Sequence, residues 1–135
     1  MQRVLVIDDE TYVREALERV LATSDITVVG AATADAGLAA MRDRPADLVI
    51  IDVILPGMDG VAVIKEIRRT NPTVRIIAIS GGGNFGLHAY QPEAISTSAY
   101  LAACVAAGAD GTLAKPFETQ ELRSLIRQLQ GPELK

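Results

Sequence analysis

Short, unbroken blocks of apolar residues are spaced along the whole chain, and several end in a polar residue or a glycine. Such a block is typical of a β-strand that is buried on both faces, as in a parallel sheet covered by helices. The blocks predict five strands, at Arg3–Ile7, Ile26–Val29, Leu48–Ile51, Val74–Ile79 and Thr112–Ala114.

Between these blocks, apolar residues recur every three or four positions, which is the spacing of an amphipathic helix. The predicted helices run from Val13 to about Thr23, from Asp35 to Arg44, from an Asp59 N-cap to Asn71, from Ser96 to Ala107 and around Leu122–Leu129. Strands that alternate with helices predict an α/β fold: a doubly wound, five-stranded parallel sheet with right-handed crossovers. Three consecutive glycines follow the fourth strand and end it. The segment from Gly81 to Ile95 is therefore predicted to be a loop.

Polar side chains follow four of the five strands. Asp8 and Asp9 follow the first strand, Asp52 the third, Ser80 the fourth and Lys115 the fifth. Because ligands bind outside the carboxyl ends of the strands in open α/β sheets, we expect these side chains to converge. Three carboxylates repel one another unless a cation neutralises them, and their hard oxygen atoms favour Mg²⁺. A carboxylate beside a metal, an ammonium and a hydroxyl predicts a phosphoryl-transfer site with Asp52 as nucleophile.

Each of these residues also has a plainer explanation. Asp8 and Asp9 could simply begin a helix, where acids complement the helix dipole. Ser80 could be an ordinary hydroxyl at a strand end, and Lys115 a solvated loop charge. The joint placement of all of them at one sheet edge favours the chemical explanation.

Composition narrows the class of protein. The 135 residues fit one domain, and 49% hydrophobic residues are enough for a sizeable core. A net charge of −4 without a basic run argues against a nucleic-acid surface. No apolar stretch is long enough to span a membrane, so no membrane partner is expected. The single cysteine, Cys104, cannot form an internal disulfide, which favours the cytoplasm.

The chain resembles the receiver domain of bacterial two-component response regulators. The pieces that carry the resemblance are Asp8-Asp9 after the first strand, Asp52 within DVILPGMDG, Ser80 after VRIIAI and Lys115 within KPF. They occur in the family's order, and the resemblance covers the chain from about residue 3 to residue 129. It implies a flavodoxin-like sheet with strand order 2-1-3-4-5, an order that response-regulator receivers are known for.

The resemblance also implies roles for individual residues. Asp52 would be the phosphoacceptor, and Asp9 together with Asp52 would bind Mg²⁺ directly. Asp8 would act on the metal through water, and the backbone carbonyl of Ile54 would be a further ligand. The phosphoryl donor would be a phosphohistidine of a sensor histidine kinase or a histidine phosphotransfer protein.

The same resemblance implies roles for two further residues. Lys115 and Ser80 would contact the phosphoryl oxygens, and the peptide bond Lys115–Pro116 would be cis. The chain would be a phosphoacceptor signalling module that assists its own phosphorylation and dephosphorylation, not an enzyme with a separate substrate. Its phosphorylation would switch contacts with a downstream protein.

The chain departs from the family pattern in two places. Thr112 occupies the position three residues before the lysine, where the family usually has an aromatic switch residue. The segment from Ser80 to Lys115 spans 35 positions, which is longer than is usual in the family. We therefore expect another readout, in which phosphorylation changes the order of the loop at residues 81–95 and a partner binds it together with the helix at residues 96–107.

Two alternatives have different chemistry. Residues 81–86, GGGNFG, match a dinucleotide-binding fingerprint, which would indicate a Rossmann-like nucleotide-binding domain; the fingerprint normally follows the first strand. A pseudo-receiver would keep the fold and act as an interaction module without phosphorylation.

The predicted boundaries are a receiver domain at residues 1–130 and a short tail at residues 131–135. With no output domain after the last helix, we expect a stand-alone receiver, and a piece of a multidomain regulator is the alternative.

Overall fold

The computed structural model describes residues 3–55, 58–80 and 91–130. Five parallel strands form one sheet, and we number them along the chain. They are β1 Arg3–Ile7, β2 Thr27–Ala31, β3 Leu48–Asp52, β4 Arg75–Ser80 and β5 Gly111–Ala114. Their spatial order is β2-β1-β3-β4-β5, so the predicted flavodoxin-like order is confirmed. A two-residue antiparallel ladder, Ile54–Leu55 with Met58–Asp59, follows β3.

In the described part of the chain, four helices connect the strands and a fifth follows β5. They are α1 Thr11–Leu21, α2 Ala34–Asp43, α3 Gly60–Thr70, α4 Gln91–Ala107 and α5 Thr119–Gln130. The predicted N-cap of α3 is confirmed, because the Asp59 carboxylate accepts a hydrogen bond from the Val61 N–H. The predicted end of α4 is confirmed as well, since Gly108 has a φ of +130°, a conformation that favours glycine.

The strands separate two layers of core. Alternate residues of β1, β3 and β4 point to opposite faces, because the side-chain period of a strand is two. Leu5, Val49 and Ile76 lie in one layer with residues of α2, α3 and α4. The other layer lies against α1 and α5 and includes Ile50 and Ile77. The sheet is thus covered on both faces, which explains why the central strands β1, β3 and β4 are mostly apolar.

The beginning of α4 was predicted incorrectly. We expected a loop up to residue 95 and a helix from Ser96, but the helix begins at Gln91. Proline is favoured in the first turn of a helix, where its missing N–H has no partner to lose, so Pro92 was a usable signal. The expected change of order in the loop concerned residues 81–95, and its part at 81–90 lies outside the described residues, as does the predicted tail at 131–135.

The second strand also differs from its prediction. The sequence predicts that the strand ends at Val29, before Gly30, but β2 continues to Ala31, and Gly30 pairs with Val6 of β1. A glycine does not end a strand when the neighbouring backbone keeps its pairing. The shift matters for the site, because the Asp8 N–H donates to the Ala31 carbonyl at 3.0 Å and so continues the ladder past Ile7.

Candidate functional site

Strand register brings the predicted site residues to one edge of the sheet. Ile7 of β1 pairs with Ile51 of β3, so Asp8 and Asp52 are the next residues on adjacent strands. On the other side, Ser80 of β4 pairs with Ala114 of β5, which places Lys115 one residue beyond it. The Lys115 N–H donates to the Ser80 carbonyl at 2.7 Å. The predicted convergence therefore follows from the pairing itself.

Lys115 is the centre of this arrangement. Its Nζ lies 2.9 Å from Asp8 Oδ2, 3.1 Å from Asp52 Oδ2 and 3.4 Å from Glu10 Oε1. Its side chain is 10% exposed, and those of Asp8 and Asp52 are 0% and 8% exposed. Burial opposes the charge of the ammonium, but the hydrogen bond to Asp8 and the charges of Asp52 and Asp8 raise the pKa of Lys115 above its usual value. The peptide bond Lys115–Pro116 is cis, as predicted.

Asp52 is held by two donors and is largely withdrawn from water. The Ile54 N–H donates to its Oδ1 at 2.9 Å, and Lys115 binds its Oδ2. Burial raises the pKa of Asp52, while the Ile54 hydrogen bond and the Lys115 charge act against that rise. The Ile54 N–H and the Lys115 ammonium both stabilise the charged form of Asp52, which is the form that a nucleophile requires.

Asp8, Asp9 and Asp52 form an acidic cluster. Each offers a carboxylate oxygen, and these oxygens lie within 4.8 Å of one another. Asp8 and Asp52 are buried, whereas Asp9 is exposed. Asp8 already accepts hydrogen bonds from Lys115 and, at 2.9 Å, from the Glu10 N–H. The set contains hard oxygen donors with an open side, which fits a divalent cation.

The sequence analysis does not predict three contacts at or beside this site. Glu10 is a further carboxylate at Lys115, and its place directly after Asp8 and Asp9 was an available signal. The Arg14 guanidinium donates to the Asp8 carbonyl at 2.6 Å, and Tyr100 of α4 binds the residues that begin α3. Nothing local in the sequence indicates these last two contacts. Tyr100 is also partly buried and packs against the core.

The sequence model of the response regulator receiver domain matches residues 4–127. The chain belongs to this family. The receiver's curated relatives include the DNA-binding transcriptional regulator NtrC of Salmonella typhimurium, at 32% identity over 95% of this chain and 25% of NtrC. Another is the response regulator MprA of Mycobacterium leprae, at 33% identity over 94% of this chain and 50% of MprA. This receiver thus spans a quarter to a half of the length of these relatives.

A solved structure agrees with the family. A putative response regulator from Chloroflexus aurantiacus J-10-fl superimposes with a TM-score of 0.77 at 32% identity, covering 97% of this chain and 98% of that one. The nucleotide-binding alternative is not favoured, because the classical dinucleotide fold has the strand order 3-2-1-4-5-6 and this sheet does not. The glycine fingerprint at 81–86 lies outside the described residues. Within the described part of the chain, no helix has the length and hydropathy of a membrane span.

Proposed function

We propose that this receiver is the phosphoacceptor module of a two-component phosphorelay, with Asp52 as the acceptor. The observation that carries the proposal is the pairing of a buried carboxylate, Asp52, with a buried ammonium, Lys115, beside two more aspartates. A charged carboxylate that is shielded from water and flanked by positive charge is suited to attack an anionic phosphoryl group. A pseudo-receiver without phosphorylation would not need to retain this arrangement.

The reaction would be a transfer from a phosphohistidine. An Asp52 oxygen would form a bond to phosphorus while the P–N bond to the donor breaks, and the electron pair of that bond would remain on the imidazole. Lys115 and the Ser80 hydroxyl would contact the phosphoryl oxygens and stabilise their charge. Ser80 ends β4 with 1% of its surface exposed, on the strand that adjoins Asp52.

The acidic cluster fits Mg²⁺. Asp9 and Asp52 would bind it directly with the Ile54 carbonyl, and Asp8 would act through water. The two hydrogen bonds that Asp8 already accepts support an indirect role for it, and the exposure of Asp9 supports a direct one. The metal would neutralise the clustered charge and orient the phosphoryl oxygens.

The donor and the setting belong to the same proposal. A sensor histidine kinase or a histidine phosphotransfer protein would supply the phosphoryl group, and a downstream protein would bind the phosphorylated form. The chain would act in the cytoplasm, as a phosphoacceptor rather than an enzyme with a separate substrate. NtrC is described as DNA-binding, but the described region here has no feature that leads us to propose a nucleic-acid surface.

Phosphorylation by acetyl phosphate with Mg²⁺ tests the proposal. The wild-type protein should gain one hydroxylamine-labile phosphoryl group, mapped to Asp52 by mass spectrometry. Asp52→Asn keeps the shape and removes the anionic nucleophile, so it should gain none. Asp43→Asn is the matched control, because Asp43 is exposed at the far end of α2. An Asp52→Asn protein that is phosphorylated as fast as the wild type contradicts the assignment.

A further inference from the structure

Tyr100 joins α4 to the residues that begin α3. Its hydroxyl donates a hydrogen bond to Asp59 Oδ1 and accepts one from the Gly60 N–H at 3.0 Å. The partners lie 40 and 41 positions away in the sequence. Asp59 simultaneously caps α3 through the Val61 N–H at 3.0 Å. One phenol group therefore holds both the cap and the first residue of the helix.

Asp59 and Gly60 also lie against Val53 and Ile54, the two residues that follow the proposed acceptor Asp52. Asp59 pairs with Ile54 in the short antiparallel ladder, and the Ile54 N–H donates to Asp52 Oδ1 at 2.9 Å. Gly60 is in tight contact with the backbone of Val53: a Cβ on Gly60 would lie 2.5 Å from the Val53 carbonyl oxygen and 2.6 Å from its Cα. A displacement of the start of α3 must therefore move the residues that follow Asp52.

We propose that Tyr100 is a positioning residue of the phosphoryl-transfer site, which fixes Asp59 and Gly60 and through them the Ile54 amide that orients Asp52. This inference rests on the proposed function of Asp52. It assigns to α4 an indirect effect on the acceptor, transmitted through the Asp59–Ile54 ladder.

The charge states of the pair agree with this geometry. The hydrogen bonds from Tyr100 and from the Val61 N–H lower the pKa of Asp59 below its usual value. Burial, the hydrogen bond to Asp59 and the negative charge of that residue raise the pKa of Tyr100. The donor is therefore a neutral phenol and the acceptor an ionised carboxylate, which is the stronger kind of hydrogen bond.

Tyr100→Phe removes the hydroxyl and leaves the ring in its place. We expect the rate of phosphorylation by acetyl phosphate at saturating Mg²⁺ to fall on the order of tenfold. Misplacing a reacting group by 1 Å costs about a hundredfold, and a smaller displacement costs correspondingly less. The matched control is Thr70→Val, which removes a hydroxyl from the other end of α3, where Thr70 binds the carbonyls of its own helix. The control should keep the wild-type rate.

Amide hydrogen exchange measures the positioning without any phosphorylation. In Tyr100→Phe, the Ile54 amide should exchange several-fold faster relative to the amide of Ile50 in β3. A general loss of stability would instead accelerate both amides together, so the ratio separates positioning from unfolding. An unchanged ratio, or an unchanged phosphorylation rate, overturns the positioning role.

The two proposals fail in different ways. If Asp52→Asn is phosphorylated like the wild type, the proposed function fails, and the role of Tyr100 in it falls too. If phosphorylation depends on Asp52 but the Ile54 exchange ratio is the same in Tyr100→Phe and wild type, the function stands and the positioning role is wrong.

Discussion

Lys115→Met is the change that most directly probes the electrostatics of the site. Methionine fills a similar space but leaves the Asp8 and Asp52 carboxylates without the ammonium that lies 2.9 Å and 3.1 Å from them. Removing one partner of a buried ion pair leaves an uncompensated charge and costs about 3–5 kcal/mol. We expect the lower end, about 3 kcal/mol, because the exposed Asp9 keeps one side of the site open to water.

The assay is thermal unfolding at neutral pH with and without Mg²⁺. For a chain of 135 residues, a loss of this size lowers the Tm by roughly 10 °C. Because a cation at the acidic cluster replaces part of the missing charge, Mg²⁺ should raise the Tm of Lys115→Met more than that of the wild type. Lys65→Met is the control, since Lys65 is exposed on α3.

The pH dependence has a definite sign. Lys115 lowers the pKa of Asp52, so its removal lets burial raise that pKa further above the unfolded value. A carboxyl with a raised folded pKa costs stability above that pKa. The cost declines as the pH falls through the folded pKa and is gone below the unfolded pKa. The stability difference between variant and wild type should therefore shrink toward acid pH. A Lys115→Met protein as stable as the wild type at neutral pH without Mg²⁺ refutes the reasoning.

Three further outcomes are expected. Asp9→Ala should fold normally but lose Mg²⁺ affinity in a calorimetric titration, because Asp9 is exposed and adds only repulsion in the absence of the ion; wild-type affinity would contradict this. Cys104 is fully buried, and burial raises the pKa of its thiol to about 11, so iodoacetamide should label it only after denaturation, as mass spectrometry can measure. Arg68→Met should cost about 2 kcal/mol or more in urea unfolding, since its guanidinium binds the carbonyls of neighbouring loops and Asp110 at 2.9 Å. Arg69→Met removes an exposed ion pair, so it should change the free energy of unfolding little. Equal losses of stability in Arg68→Met and Arg69→Met would contradict this prediction.

Most of the fold could be predicted because its signals are local. An unbroken apolar block such as Leu48–Ile51 or Ile76–Ile79 is buried on both faces, and its composition indicates that directly. The errors lie at boundaries, where neighbouring signals compete. Gly30 weakens a strand, yet its pairing with Val6 continues that strand. Pro92 lies in the first turn of α4, in a segment where the preceding glycines suggested a longer loop.

The order of residues along the chain is enough to show that acids, a hydroxyl and a lysine follow the strands, and therefore to predict that they share one edge of the sheet. It did not determine which carboxylates lose water or which atoms meet. Asp8 and Lys115 are 107 positions apart, and their contact depends on the register of β1, β3, β4 and β5 together. The contact of Tyr100 with Asp59 likewise depends on how α4 lies against α3. Periodicity and turn chemistry act within a few residues. Burial and side-chain pairing arise from packing between distant segments, so they cannot be read from local sequence patterns.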